Sequence, residues 1–437
     1  MQSFQNEASQ AEPTPATKES GSPTRRECLL LAGSFLLNQA AVGADRLADA
    51  QPPGLREDRI ALITDWLRDD VAKGVVPGAV LLIAHRGVQV CLQALGSLNP
   101  ASEGAMVSDA IFRIESMTKP VTTAAAMTLV DEGKLKLDDS IGAYLPVFAN
   151  PKIGYERSGS PTPFEIAPAT RPITVRDLMR HTAGLDYGWL APKSERTRLL
   201  NASARNYRRD FDSTELVNWL ASAPLAAEPG TVWNYSSGMD VLGHLVEIVS
   251  GKSLGTFMKS RIFDPLGMAD TDFFVTTADS VNRVAEPVAN ERAGMSDPRV
   301  IRRLESGGQG LTSTAPDYAR FLQMLLDGGE SRGKRVLSKE SVAQMTSDQL
   351  GSAISRGTGY APGEAYGFGL GFAVRTKGRG ASPPGELGDY WWGGGTGTYC
   401  WVDPMNQLVV VLMMQSRKQR LPYRTMLREM VYDAVIR

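Results

Sequence analysis

Apolar and polar positions alternate along this chain in two rhythms. Ile60 to Lys73 carries apolar residues at helical spacing and predicts an amphipathic helix. Gly78 to His85 (GAVLLIAH) is an unbroken apolar run of strand length, Arg86-Gly87 marks a turn, and Val88 to Leu95 is the return strand. Ser116 to Glu132 reads as a helix ending at Gly133. Between about 135 and 300 the helical rhythm dominates, broken by Pro- and Gly-rich loops. Phe321 to Leu326 belongs to a further helix. After Tyr366 the pattern turns strand-like at Phe368–Val374, Thr398–Val402 and Gln407–Gln415, with a turn at 403–406. Leu421 to Ile436 closes the chain as an amphipathic helix. Strands at both ends with helices between predict one sheet, built from about 56–115 and 300–437, and a helical subdomain inserted at about 116–299. No internal repeat is present.

Composition narrows this picture. The chain has 437 residues, 42% hydrophobic and 22% charged, enough for a large core. A net charge of −1 gives no basic footprint, so nucleic acid is not expected as a partner. Cys28, Cys91 and Cys400 are too scattered for a disulfide scaffold or a zinc site, so no metal and no cofactor are expected. Residues 1–55 differ from the rest. A polar stretch leads to Arg25-Arg26, then to the apolar run Cys28–Leu37 and a small-x-small site at 48–50. The run is too short to span a bilayer and reads as a twin-arginine export signal, placing the protein in the periplasm or outside the cell. The alternative is a disordered leader on a cytoplasmic protein. The pattern assigns no oligomeric state.

The residues that carry chemistry come next. Gly251-Lys252-Ser253-Leu254-Gly255 fits the G-x-S-x-G pattern of many esterases. That pattern needs a strand running into the serine. Here Met239–Ser250 has helical spacing, so Gly251 reads as a helix C-cap and Ser253 as the N-cap of the next helix. A Ser-His-Asp arrangement would need His85, His181 or His244, and each is read as structural. The alternative base is a lysine one helical turn from a serine. Ser116-Met117-Thr118-Lys119 supplies it, with residues i and i+3 on one face of a helix. Ser116 at the helix N-terminus also has backbone N–H groups free for an oxyanion. A second S-x-x-K, Ser331 to Lys334, lies in a Gly-rich loop, and only the first is followed by a long apolar helix.

FRIESMTKP, GKLKLDDSIGAYLP, ITVRDLMRHTAGL, EPGTVWNYSSGMDVLGHLVEIVSGKSL and IFDPLGM, in that order, resemble the serine β-lactamase-like hydrolases. These include class C β-lactamases, D-alanyl-D-alanine carboxypeptidases and family VIII carboxylesterases. The resemblance runs from about 57 to 437 and implies an α/β (α+β) fold of the β-lactamase/DD-peptidase type. An antiparallel sheet would be flanked by N- and C-terminal helices, with an all-helical subdomain inserted. It implies that Ser116 is the nucleophile and Lys119 its neighbouring base. The Tyr-x-Asn motif falls on Tyr235-Ser236-Ser237, which implies proton transfer by Tyr235. A phenol does this only beside a positive charge, which Lys119 supplies. Ser237 replaces the asparagine that would contact a peptide-like substrate. The third motif, Lys-Thr-Gly or His-Thr-Gly, falls on Trp392-Gly393-Gly394, and Gly395 would supply the second oxyanion N–H beside that of Ser116.

Trp392 bears on substrate. A lysine there offers a cation to substrate carboxylates; tryptophan offers apolar area instead. Losing one charge-assisted hydrogen bond of about 1.5–3 kcal/mol disfavours carboxylated substrates by about one to two orders of magnitude. A W-G-G motif resembles the esterase branch. Trp189, Trp233, Trp391 and Tyr187 either line the same pocket or pack the core. The expected activity is hydrolysis of small neutral esters through a Ser116 acyl-enzyme. The alternatives are a lactam or D-alanyl peptide hydrolase, an acyltransferase of the same fold, and an inactive binding module.

Overall fold

Leu408–Met414 (LVVVLMM) has no polar position because both of its faces are covered. A computed structural model describes residues 54–102, 104–156, 164–187, 210–357, 359–378 and 380–436. The segment read above as an export signal and Trp189 lie outside them. The sheet has seven strands: β1 (Gly78–His85), β2 (Val88–Gly96), β3 (Tyr366–Phe368), β4 (Ala373–Arg375), β5 (Tyr390–Gly393), β6 (Tyr399–Asp403) and β7 (Leu408–Met414). Their order is β3-β4-β5-β6-β7-β1-β2, with every neighbouring pair antiparallel. The N-terminal hairpin joins the C-terminal strands where β1 pairs with β7, Leu81 opposite Leu412.

Successive strand residues point to opposite faces. Ala79, Leu81, Ile83, Leu408, Val410 and Leu412 pack with Ile63 and Leu67 of α1 (Glu57–Ala72) and with Leu427 and Val431 of the last helix, Arg420–Ala434. Val80, Leu82, Val409, Val411 and Met413 share the larger core with α2 (Thr118–Asp131), α3 (Gly238–Ser250) and α4 (Ala315–Leu326). Helix Arg420–Ala434, here α5, is locked to the sheet by Arg428. Both of its terminal nitrogens lie 3.0 Å from the Asp389 carboxylate, and both side chains are buried. That lock places Arg424, one turn earlier, under β5.

The expected elements are present with local differences. Phe368–Val374 is not one strand: β3 and β4 flank a tight turn in which Gly371 has φ 87°. A Cβ on Gly371 would lie 2.7 Å from Thr123 Oγ1, so the chain reverses there against α2. The insertion also carries a two-stranded hairpin, Lys152–Glu156 with Phe164–Pro168, that the helical rhythm did not announce. Among the described residues no helix is long and apolar enough to cross a membrane.

Candidate active site

Ser116 enters the site through a sharp change of backbone direction. Phe112–Arg113 pairs with Thr312–Ser313 as a short strand. Glu115 then takes φ 47°, in the left-handed region that a side chain rarely adopts, and the chain turns through Glu115–Met117 into α2. Burial pushes the Glu115 carboxyl up, against the pull of Arg417, Lys119 and Arg113. Nearly every residue of α2 is buried, so this helix runs through the core and its first turn is rigidly held.

Two side chains converge on Ser116 Oγ. Lys119, 1% exposed, places Nζ 3.2 Å from it. Tyr235 donates to it at 2.7 Å. Lys119 Nζ also lies 4.6 Å from the Tyr235 ring centroid. Hydroxyls both donate and accept, so a proton has a direct path between the serine and the phenol. Tyr235 is caged by rings: His181 at 4.8 Å, Tyr187 at 5.4 Å and Trp392 at 5.6 Å between centroids.

A loop that no motif pointed to completes the lysine's surroundings. Lys119 Nζ donates to the Gly308 carbonyl at 2.7 Å. The Gly308 N–H donates to Asp240 Oδ1 at 3.1 Å, and the Ser306 hydroxyl donates to the same oxygen. Only glycine fits at 308, since a Cβ would lie 2.7 Å from Asp240 Oδ2. Burial pushes the Asp240 carboxyl up, opposed by Ser306, Lys119 and the Gly308 N–H. Asp240 falls in the first turn of α3, five residues after Tyr235, and that spacing was the available signal.

The W-G-G segment ends β5 beside this cluster. Trp392 is 4% exposed, with its ring 5.3 Å from that of Phe368 as well as against Tyr235. The loop after it is tied to the segment that leads into Ser116. Thr396 Oγ1 donates to Arg113 O at 3.1 Å and Thr398 Oγ1 to Ile114 O at 3.3 Å. A Cβ on Gly394 would lie 2.6 Å from Ile114 O, so glycine permits that approach. Gly395 adjoins Glu115, and its N–H has no protein acceptor among the described residues.

The other residues singled out in the sequence fall in several places. Ser237 is buried at the start of α3, and among the described residues its hydroxyl has no hydrogen-bond partner. Trp233 is buried, packed on His181, Tyr360 and Phe368 and stacked at 6.1 Å on the ring of Tyr235, so it supports the tyrosine from within the core. Trp391 sits against Tyr366, Tyr399 and Arg424 toward α5. Ser253 caps the helix Leu254–Met258, accepting from the Thr256 N–H at 3.3 Å. Ser331 and Lys334 pair in a small hairpin rather than on a helix. His181 is buried, and burial together with Lys119 holds its imidazole well below the usual histidine range. Among the described residues no group of side chains is arranged to hold a metal ion.

The family model described as Beta-lactamase matches residues 63–431. The chain belongs to the Beta-lactamase family. Within this family the chain is similar to esterase EstB of Burkholderia gladioli, 30% identical over 381 residues, 81% of this chain and 90% of that protein. It is also similar to the lovastatin esterase of Penicillium rubens, 30% identical over 329 residues, 70% of this chain and 80% of that one. Among solved structures it resembles EstCE1, described as a hydrolase with promiscuous acyltransferase activity. The TM-score is 0.67 at 26% identity, over 86% of this chain and 99% of that one. The protein is a serine hydrolase of the Beta-lactamase family, with the large antiparallel sheet and flanking helices of that fold.

Proposed function

We propose that the protein hydrolyses small neutral carboxylic esters through an acyl-enzyme on Ser116. One observation carries the reading: Ser116 Oγ is within hydrogen-bond reach of both Lys119 Nζ and Tyr235 Oη, at 3.2 and 2.7 Å. Acting in its phenolate form, with its own proton already given up and the Lys119 ammonium beside it, Tyr235 takes the serine proton as Oγ attacks the ester carbonyl carbon, and passes it to the departing alkoxide. Lys119 Nζ, 3.2 Å from Ser116 Oγ and 4.6 Å from the Tyr235 ring centroid, stabilises negative charge as the proton moves. The N–H groups of Ser116 and Gly395 receive the carbonyl oxygen as it becomes an oxyanion. Water then attacks the acyl carbon, and Tyr235 takes its proton and returns one to Ser116.

Trp392 supports an ester over a carboxylated lactam or peptide, because the third motif presents a ring where a cation would be needed. The esterase names of EstB and the lovastatin enzyme support the same class. Acyl transfer is the second reading, favoured by the rings of Trp392, Tyr187 and His181 around Tyr235, which displace water from the acyl-enzyme. The deciding experiment gives purified protein short- and long-chain p-nitrophenyl esters, a chromogenic cephalosporin and a D-alanyl peptide, with and without an added alcohol. Ester turnover with an acyl mass on Ser116 is expected. Preference for the cephalosporin would overturn the proposal, and an acyl product on the added alcohol in place of acid would select the second reading.

A further inference from the structure

A half-buried cation stands directly behind the oxyanion loop. Arg424 rises from α5, and a Cβ on Gly393 would lie 2.4 Å from its Nη2, so only glycine lets the guanidinium reach β5 there. Nη2 donates to the Gly394 carbonyl at 2.8 Å. The guanidinium lies 5.6 Å from the Tyr399 ring centroid and 5.9 Å from that of Trp391. Among the described residues it has no carboxylate partner, and its Nε has no hydrogen bond. Its neighbour Arg428 takes both oxygens of Asp389, so α5 carries one arginine paired with a carboxylate and one that hydrogen-bonds the Gly394 carbonyl instead.

That oxygen belongs to the peptide group whose other end is the Gly395 N–H. A peptide is planar, so holding its oxygen holds its N–H. A cation on the carbonyl also draws electron density from the nitrogen and makes the N–H a stronger donor. The N–H of Gly394 is occupied by Thr398 O at 2.8 Å, whereas that of Gly395 has no protein acceptor among the described residues. We infer that Arg424 is a positioning residue for the oxyanion hole: from the far face of the sheet it orients and polarises the 394–395 peptide toward the oxyanion formed at Ser116. The inference rests on the proposed role of the Gly395 N–H, and it gives a reason for the glycine at 393 that substrate contact does not.

The test compares Arg424→Gln, Arg424→Met and Arg424→Lys with wild type. Three readouts are followed: ester kcat and KM, affinity for a phenylboronic acid that forms a tetrahedral adduct on Ser116, and the rate of Ser116 labelling by a fluorophosphonate. The Gln and Met variants should lose about ten- to hundredfold in kcat with KM within about twofold. Boronate affinity should fall in parallel. Lysine, which keeps charge and donor, should restore activity to within about threefold of wild type. Gly393→Ala, which displaces the guanidinium while keeping it, should resemble the Gln variant. Folded Gln and Met variants, by near-UV circular dichroism and melting temperature, with unchanged kcat and boronate affinity would overturn the inference. So would a loss confined to KM, or a lysine variant no better than methionine. A wild type that labels at Ser116 but turns over no ester sinks the ester reading alone. The labelling rates, expected to fall about tenfold in the Gln and Met variants, then decide Arg424, and equal rates would overturn it.

Discussion

Lys119 and Asp240 are joined through the backbone of one residue. Gly308 accepts from Lys119 Nζ through its carbonyl at 2.7 Å and donates to Asp240 through its N–H at 3.1 Å. The carboxylate therefore fixes the loop that aims the amine. Asp240→Asn keeps an acceptor for Gly308 and removes the charge, and should lower ester kcat about tenfold with KM nearly unchanged. Asp240→Ala leaves two buried donors unpaired and should cost about 2–4 kcal/mol in urea unfolding. A kcat loss absent from both folded variants would separate Asp240 from the site.

Two serines compete for the nucleophile's role by motif, and the structure gives them different work. Ser116→Ala should abolish ester turnover and block active-site labelling. Ser253→Ala removes a helix cap and should cost about 1 kcal/mol of stability while leaving kcat/KM within about twofold. Activity surviving in the first variant and lost in the second would reverse the assignment.

Trp392 is held by the rings of Tyr235 and Phe368, at 5.6 and 5.3 Å. Trp392→Lys should therefore have two effects. The lost packing should cost about 3 kcal/mol of stability and lower turnover of neutral esters. The new cation should raise the ratio of kcat/KM for a cephalosporin to that for a p-nitrophenyl ester by about tenfold or more. An unchanged ratio in a folded variant would mean that position 392 does not face the substrate.

His181 should make stability depend on pH. Its folded-state value lies well below the ordinary histidine value of 6.5, because burial and Lys119 oppose its charge. Below about pH 6.5 the unfolded chain binds a proton that the folded one refuses. Stability from this residue is full above that pH and is lost as pH falls toward the folded value, at up to about 1.4 kcal/mol per pH unit. His181 has φ 60°, which asparagine tolerates, so His181→Asn is the chosen variant. Between pH 7 and 5, wild type should lose up to about 2 kcal/mol more unfolding free energy than the variant. Equal losses would show that His181 is protonated as easily folded as unfolded.

The sequence by itself determined whatever depends on near neighbours. Helical spacing placed Lys119 one turn from Ser116, and the gap of 3.2 Å follows from it. The apolar pattern marked β1 and β7 as strands, and Gly251 and Ser253 announced a helix end and a helix start. The Tyr235 and Trp392 motifs were legible through family resemblance, but no local rule brings them to Ser116. Only the tertiary structure decided what crosses long separations. Tyr235 meets Ser116 across 119 residues and Gly308 meets Lys119 across 189, because α2, α3 and the 306–310 loop pack in one core. It also split Phe368–Val374 into two strands, since the chain must reverse where Gly371 abuts Thr123. Arg424 was the least visible. On an amphipathic helix a lysine or arginine reads as solvent-facing, and only the glycine at 393 opens the space that draws its charge under the sheet.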